Sequence, residues 1–376
     1  MSRRLLWPLA VVLFATGAFA LLRYKRTDLV DFAVIRTAAI RAVTHEQLYR
    51  PDDGHYQYKY LPTLAVVAVP FTWPSKEAAE ALWFAITVAM TWALVRLSIR
   101  ALPDRRTSVQ ALVWLMLLLN GKFLVKELAF GQFNLPLALA LVGALIAVQR
   151  GRSALAGALV GAGVFVKPYA LVLAPWLLIT QGRRSLAALA AVSMAGLALP
   201  ITAYGWDGNL TLLHDWYRTV TDTTAPNLMV YENVSFASMW AKWIGAGAMA
   251  SRLALATAAA AFGAGLALLL RRRDIKEPNY LECAYFLVLI PLLSPQGWDY
   301  VLVVAMPAYV LLVDRWRDSP LAWRVVAAAG FALTSFAIYD VFGRTLYFYL
   351  MDRAAQSVGA LLIAAALVRM RWRALA

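Results

Sequence analysis

YLPTLAVVAVPFTWP (residues 60–74) is the segment on which the topology of this chain depends. It is apolar, but it is shorter than the ~20 residues that a helix needs to cross a bilayer. Prolines at positions 62, 70 and 74 also disfavour one straight helix. If the segment crossed the membrane, the arginine-rich loops that follow it would lie outside. We therefore favour a re-entrant or interfacial element, and a membrane span is the alternative.

The rest of the chain is mostly apolar. Of its 376 residues 62% are hydrophobic, whereas a soluble domain has ~45–50% apolar residues. Twelve apolar segments predict membrane helices: 5–22, 78–98, 109–128, 133–149, 154–166, 168–180, 185–203, 250–270, 280–295, 298–313, 323–340 and 355–369. Basic residues flank the first segment on both sides and no clear cleavage site follows it, so we interpret it as an uncleaved span. The expected fold class is an all-α polytopic membrane protein with about twelve transmembrane helices, in a single domain 1–376.

The distribution of charge orients these helices. With the N-terminus inside, the cytoplasmic segments hold more than half of the 36 lysine and arginine residues but fewer than a third of the 21 acidic residues. This is the pattern of the positive-inside rule, so the net charge of +15 indicates topology rather than nucleic-acid binding. Two long loops, 23–77 and 204–249, then lie outside. The single cysteine, Cys283, excludes a disulfide framework.

The first outer loop contains a predicted helix at residues 30–45. Its apolar face would hold Phe32, Ile35, Ala39 and Val43, and its polar face Thr37, Arg41, Thr44 and His45. Such a helix would lie flat on the outer membrane surface. Asp31 falls at the border of the two faces, near the helix start. It is either a functional carboxylate or a charge that interacts favourably with the helix dipole.

Several ionisable side chains mark the predicted outer ends of spans: Lys59, Lys126, Glu127, Lys167 and Asp299. Charged groups at membrane depth are costly and are functional candidates by default. Lys167 either binds an anion such as a lipid phosphate or extends its ammonium to the interface. Asp299 follows the turn SPQGW and is expected to face outward.

Polar and aromatic residues of the outer side have two interpretations each. Gln132 and Asn134 either cap the helix that begins there or bind a polyhydroxyl ligand. Asn233 and Ser235 are likewise either a helix cap or ligand contacts. The aromatic residues of the loops, Tyr58 among them, stack on sugar faces or form an interfacial belt. No phosphate-binding loop and no metal-ligand spacing is present in the sequence, so we expect no cofactor and favour a metal-independent reaction.

Five sequence blocks resemble one known family. VDFAVIRTAAIRAVTHEQLYRPDDGHYQYKYLP resembles the opening D-x-x-x-x-x-x-A-A…LY…Y-x-P of glycosyltransferase family 87, the DUF2029 group. Four further blocks follow in the family's order. They are GQFN for G-Q-x-N, VFVKPYALVLAPWLL for the K-x-x-P-like block, ENVSFASMW for N-x-S and LLSPQGWDY for S-P-x-S-W. Two departures concern Asp299-Tyr300, where the family often has histidine, and Lys59-Tyr60-Leu61-Pro62, where aromatic or proline residues are usual.

The family includes polyprenol-phosphate-mannose-dependent α-mannosyltransferases, so the resemblance implies a GT-C fold with an interfacial helix in the first outer loop. It implies that Asp31 is the catalytic carboxylate and Lys167 a contact to the donor phosphate. Further substrate contacts are expected at Tyr58, Lys59, Glu127, Gln132, Asn134, Asn233, Ser235 and Asp299.

The expected function is transfer of mannose or another hexose from a polyprenyl-phosphate donor to a lipid or glycan acceptor, with inversion, in envelope glycolipid biosynthesis. Asp31 would be the general base that deprotonates the acceptor hydroxyl. The phosphate is already a good leaving group, so no general acid is required. The protein would lie in the plasma or inner membrane, with its active site on the extracytoplasmic side. A secondary transporter and a non-catalytic subunit of an envelope-polymer assembly are the alternatives; the absence of two related halves disfavours a transporter.

Overall fold

The computed structural model describes residues 29–271 and 278–373. Within these ranges the chain forms α-helices and short 3₁₀-helices, with one isolated β-bridge between Asn233 and Trp298 and no strand. This agrees with the expected all-α, membrane-like fold. The predicted span 5–22 and the aspartate at position 28 lie outside the described residues.

The α-helices follow one another with short connections. They are Val30–Val43, Pro62–Val67, Lys76–Arg100, Val109–Leu119, Gly121–Phe130, Asn134–Gln149, Ser153–Gly163, Ala174–Gln181, Arg183–Ala198, Ile201–Asn227, Phe236–Ile244, Ala248–Leu270, Asn279–Leu293, Met306–Asp314, Leu321–Ser335, Tyr339–Phe342, Arg344–Asp352 and Ala355–Arg373. The 3₁₀-helices are Pro51–Tyr56, Val69–Thr72, Pro168–Leu173, Asp299–Ala305 and Trp316–Asp318.

The segment 60–74 is broken, as its prolines predict. Pro62 starts a six-residue helix that ends at Val67, and a 3₁₀-turn at Val69–Thr72 follows. At ~1.5 Å per residue the helix is about 9 Å long, well short of the ~30 Å hydrocarbon core. Both pieces pack against the helix Val30–Val43. The segment therefore supports the first outer loop rather than forming a continuous spanning helix.

The lengths of the described helices bear on the number of membrane crossings. Lys76–Arg100 and Ala248–Leu270 are each long and apolar enough to cross alone. Three further pairs of helices are apolar enough to cross as pairs, but each pair is bent; if each counts as one span, the described residues hold up to five spans. The bent pairs are Val109–Leu119 with Gly121–Phe130 (63°), Arg183–Ala198 with Ile201–Asn227 (92°), and Arg344–Asp352 with Ala355–Trp372 (68°). The remaining predicted spans within the described residues also fall on helices, but those helices have only 10–17 residues or are interrupted. Twelve crossings therefore stay a prediction.

The second outer loop, 204–249, contains more helix than the sequence indicated. The helix Ile201–Asn227 runs through its first half, with an interruption at Gly205, and Phe236–Ile244 occupies part of the rest. Ile201–Asn227 contacts both Val30–Val43 and Pro62–Val67. The indole of Trp216 donates a hydrogen bond to the carbonyl of Lys59 at 3.2 Å. The two outer loops thus form one packed layer.

Two glycines allow the closest helix contact inside the bundle. Ser153–Gly163 packs on Arg183–Ala198 through Gly157 and Gly161. A β-carbon at Gly157 would lie 1.9 Å from the carbonyl oxygen of Ser185, which leaves no room for any side chain. Small residues four apart are the usual means by which membrane helices approach closely. The centre of the bundle is Asn279–Leu293, in which nearly every residue is buried.

Candidate active site

The helix Val30–Val43 carries Asp31 in its first turn and presses its apolar face on the protein. Phe32, Ile35 and Ala39 are buried, as predicted, whereas Val43 is 51% exposed because the helix ends there. A carboxylate in the first turn also interacts favourably with the helix dipole, so the structure is compatible with a purely electrostatic role of Asp31 as well as with a functional one. That the helix lies flat on a membrane surface stays a prediction.

Stacked aromatic rings hold this helix in place. Phe32 stacks on Trp83 with ring centroids 5.5 Å apart, and Trp83 stacks on Phe133 at 4.0 Å. The Trp83 indole also donates a hydrogen bond to the carbonyl of Gly131 at 3.1 Å. Such aromatic pairs contribute ~0.5–1.5 kcal/mol each beyond their buried area. The stack therefore fixes the start of the Asp31 helix relative to the GQFN block.

Gly131 lets the GQFN block approach the Asp31 helix directly. Its φ of +69° lies in the left-handed region, where it terminates the helix Gly121–Phe130. A β-carbon here would lie 2.7 Å from the β-carbon of Phe32, so a larger residue would push the helix away. The next residue, Gln132, donates its side-chain amide to the Asp31 carboxylate. Gln132 therefore holds Asp31 and does not cap the helix Asn134–Gln149, and its contact with a ligand stays a prediction.

Burial and nearby cations act on Asp31 in opposite directions. Burial raises the pKa of Asp31 from 3.8 to about 6, and the charges of Lys167 and Lys59 together with the Gln132 hydrogen bond limit this rise. At neutral pH the carboxylate is mainly ionised, yet it is much more basic than an ordinary aspartate. A carboxylate with these properties suits a general base.

The two lysines approach Asp31 from separate parts of the chain. Lys59 follows the 3₁₀-helix Pro51–Tyr56, and Lys167 lies at the break that follows the helix Ser153–Gly163. Pro168 favours the extended conformation that Lys167 adopts, with φ −145° and ψ 117°. Both side chains are half-buried, and neither makes a hydrogen bond or ion pair within residues 29–271 and 278–373. Burial lowers the pKa of Lys59 while the charge of Asp31 opposes that effect. Two unpaired ammonium groups beside a carboxylate form a place where an anion can bind.

Glu127 and Asn134 form the floor of this arrangement. The buried Glu127 carboxylate accepts hydrogen bonds from the backbone and side-chain amides of Asn134, at 3.1 and 2.6 Å, and from the backbone of Leu135 at 3.2 Å. Glu127 therefore satisfies the free N–H groups at the start of Asn134–Gln149. It also interacts electrostatically with Lys167. Both residues therefore support the site through the start of the helix Asn134–Gln149, and their contact with substrate stays a prediction.

Asp299 is fully buried rather than facing outward as expected. Its carboxylate contacts the ammonium groups of Lys122 and Lys126, each at 2.8 Å, and the amide of Gln356 lies 3.4 Å away. The sequence did not predict Lys122 or Gln356 as partners of Asp299. The four-residue spacing of Lys122 and Lys126 places both on one helix face and could have indicated Lys122, whereas no sequence pattern indicates Gln356. The neighbouring Tyr300 interacts electrostatically with Asp31 and Asp299, so this cluster adjoins the Asp31 site.

Asn233 and Ser235 connect two outer segments through the backbone. Asn233 donates to the carbonyls of Asn227 and Pro295, and Ser235 donates to Pro295 while its oxygen caps the helix Phe236–Ile244. Ser235 is thus a helix cap, whereas Asn233 connects the segments without capping the helix, and their contact with substrate stays a prediction.

Tyr58 is also occupied by the fold. It is buried among aromatic rings and donates its hydroxyl to the carbonyl of Leu61 at 2.9 Å. The structure thus brings together Asp31, Lys59, Gln132 and Lys167, and it places Tyr58, Asn233 and Ser235 in supporting positions. Among the residues described here, no three histidine, cysteine or acidic side chains are close enough to hold a metal ion.

Comparison with known proteins identifies the family of this chain. The model described as "Glycosyltransferase family 87" matches residues 58–295, more than half of the chain. The matched range contains Lys59, Gln132 and Lys167, but it begins after Asp31 and ends before Asp299. No curated protein matches the chain.

Proposed function

The chain belongs to glycosyltransferase family 87, and from this membership we propose that it transfers a hexose, mannose first among the candidates, from a polyprenyl-phosphate donor to a lipid or glycan acceptor. The observation that carries the proposal is the placement of Asp31 between two unpaired lysines, with Gln132 holding its carboxylate. A base and an anion site side by side are what transfer from a sugar phosphate requires. The family membership also favours an enzyme over a transporter or a non-catalytic subunit.

In the proposed reaction Asp31 takes the proton of the acceptor hydroxyl. The acceptor oxygen then forms a bond to the anomeric carbon while the bond from that carbon to the phosphate oxygen breaks. Gln132 leaves one carboxylate oxygen of Asp31 available, because its amide is bonded to the other. A single displacement inverts the anomeric centre. General base catalysis of this kind contributes about 10²–10⁴-fold to the rate.

The lysines would stabilise the departing phosphate. Charge develops on the leaving oxygen in the transition state, and an ammonium placed in advance stabilises it without reorganisation. Lys167 is the stronger candidate, because it stands where the resemblance to the family implies a contact to the donor phosphate, and it interacts electrostatically with Asp31. Lys59 is held by its backbone, whose carbonyl accepts the Trp216 indole hydrogen bond. The donor phosphate would therefore lie between two rigid segments.

The proposed location is the outer face of the plasma or inner membrane. The positive-inside distribution supports it, as does the packing of both outer loops around Asp31. A prenyl chain would remain in the bilayer while its sugar reached the base at head-group depth. The reaction would need no metal ion, since lysines supply the positive charge at the phosphate.

The test is transfer by purified protein with defined donors. We expect hexose transfer from a short-chain polyprenyl-phosphate mannose and none from a nucleotide-diphosphate sugar, with activity retained in EDTA. A panel of polyprenyl-phosphate hexoses with membrane lipid extract as acceptor would define the sugar. Transfer from a nucleotide sugar, or no transfer from any lipid-linked sugar by correctly folded protein, would refute the proposed donor class.

A further inference from the structure

A second polar cavity lies far from Asp31 along the bundle. Trp83, near the start of Lys76–Arg100, touches the Asp31 site, whereas the cavity begins just after the end of that helix, at Pro103. The intervening helix alone separates the two by roughly 25 Å. The cavity has a volume of about 1070 Å³. It is therefore a separate place in the molecule and not part of the proposed active site.

Positive charge dominates the wall of this cavity. The lining contains five arginines but only two acidic residues, Asp104 and Asp318. The arginines are Arg106, Arg315, Arg324, Arg369 and Arg371. Asp318 is paired with Arg106, and two acidic residues outside the lining form ion pairs with Arg315 and Arg371, at 3.6 and 3.4 Å. The two other arginines of the lining, Arg324 and Arg369, have no acidic partner within the described ranges. A guanidinium presents planar pairs of donors that match the oxygens of a phosphate.

Individual nitrogen atoms of two of these guanidinium groups are buried without a hydrogen-bond partner among the described residues. Arg371 is 1% exposed, and its Nε and Nη1 atoms have no hydrogen-bond partner among the described residues. Within the described ranges its Nη2 atom makes two long polar contacts, an ion pair with Glu282 and a hydrogen bond to the carbonyl of Leu268, each at 3.4 Å. Nη1 of Arg315 is likewise buried and unpaired. Buried charged donors without partners are costly, which points to a ligand that supplies acceptors.

An apolar groove continues from the cavity. It has a volume of about 500 Å³ and shares Trp323 and Arg369 with the cavity wall. Small and aliphatic residues such as Ala261, Leu361 and Val368 line most of it. Arg369 lies at the junction and makes no hydrogen bond or ion pair within the described ranges. A polar cavity rich in arginine that opens into an apolar groove matches an amphiphile with an anionic head.

We propose that this cavity and groove bind one anionic membrane phospholipid, with its phosphate against the arginines and an acyl chain along the groove. Basic pockets between membrane helices on the cytoplasmic side bind such head groups. The positive-inside pattern predicts that this end of the bundle is cytoplasmic, where bulk phospholipid is always available. The site goes beyond the proposed transfer reaction and does not depend on it.

The experiment measures lipid binding by the full-length protein in detergent. Delipidated protein is titrated with phosphatidylglycerol or phosphatidylcholine, and bound lipid is counted by native mass spectrometry. We expect one phosphatidylglycerol to bind in preference to phosphatidylcholine. Arg369→Gln should weaken that binding about tenfold, the effect of losing one charge-assisted hydrogen bond. Arg100→Gln is the matched control, because Arg100 is exposed at the same end and lines neither cavity.

A second variant guards against misfolding. Arg324→Gln removes a cavity arginine whose guanidinium contacts only backbone carbonyls, and it should weaken phosphatidylglycerol binding in the same direction. Equal binding by wild type, Arg369→Gln and Arg324→Gln would overturn the proposal, as would equal affinity for both phospholipids. A polyprenyl phosphate that binds more tightly than phosphatidylglycerol, with the same dependence on Arg369, would show that the lipid is a different one. None of these measurements uses sugar transfer, so a failure of the lipid-binding proposal can be distinguished from a failure of the proposed function.

Discussion

Replacing Asp31 with asparagine separates a catalytic role from a structural one. Asparagine keeps the size of the side chain and its oxygen, so the hydrogen bond from Gln132 survives. Only the basicity and the charge are lost. If Asp31 is the general base, turnover should fall by about 10²–10⁴-fold, while donor binding is largely retained.

The same substitution should make the protein more stable. Burial raises the pKa of Asp31 from 3.8 to about 6, so the ionised form is disfavoured in the folded state. A rise of about two units corresponds to roughly 3 kcal/mol at neutral pH, and asparagine removes this cost. For a carboxyl group whose pKa is raised by folding, the cost is present above the folded value and disappears as pH falls toward 3.8. The gain of the variant in thermal stability should therefore be largest at pH 7.5 and small at pH 4.5.

The assay compares turnover and melting temperature of wild type and Asp31→Asn with one polyprenyl-phosphate sugar. Asp52→Asn is the control, because Asp52 is exposed in the same outer loop and outside the site. For the wild type, kcat/KM should also rise with pH up to about 6 and then level off, as the base loses its proton. A helix-dipole role predicts instead a loss of ~0.3–1 kcal/mol in stability with turnover intact. Near wild-type turnover of Asp31→Asn, or destabilisation without loss of turnover, would refute the assignment.

Three further predictions concern the surroundings of the base. Lys167→Ala should weaken donor binding by roughly 1.5–3 kcal/mol without unfolding the protein, and Lys167→Arg should restore part of it; equal donor affinity in titrations of wild type and alanine variant would show that the ammonium only reaches the interface. Gly131→Ala should cost about 1 kcal/mol or more in thermal unfolding and reduce kcat, since its β-carbon would collide with the helix that carries the base; an unchanged kcat would mean that this contact does not position the base. A membrane-impermeant thiol reagent should label cysteines placed at Asp53 and Thr223 but not at Arg105 in intact cells, and labelling at Arg105 would reverse the topology.

The sequence predicted local features better than contacts between distant segments. The prolines of segment 60–74 predicted its broken helix, because proline lacks the backbone N–H and interrupts a helix locally. The apolar period of residues 30–45 likewise predicted a helix and most of its buried face, although the helix ends at Val43. The hydrogen bond between Gln132 and Asp31 was beyond such reasoning, since it joins residues 101 positions apart. Glu127 was singled out as an interfacial charge, yet its partner is the start of the next helix.

Contacts between distant segments also explain why the second outer loop and Asp299 differ from their predictions. Residues 204–249 are too polar for a span, and their sequence alone did not predict the long helix that packs on other loops there. Asp299 was expected outside because it follows a turn, whereas two lysines draw it into the protein. The close approach at Gly157 also went unnoticed, because a glycine reveals its packing role only when the opposing helix is known.

The distance along the chain between Asp31 and Gln132 has a consequence for biosynthesis. A ribosome adds ~5–20 residues per second, so roughly 5–20 s pass between synthesis of Asp31 and synthesis of the 101st residue after it. During this interval Phe71 and Trp83, which precede the GQFN segment in the chain, can already cover Phe32, but the Asp31 carboxylate has no hydrogen bond from Gln132. The helix Val30–Val43 can therefore pack on the segment 62–83 before its carboxylate acquires the partner that holds it. Incomplete chains would then display a carboxylate with nothing to hold it, and the enzyme would gain activity only late in its own synthesis.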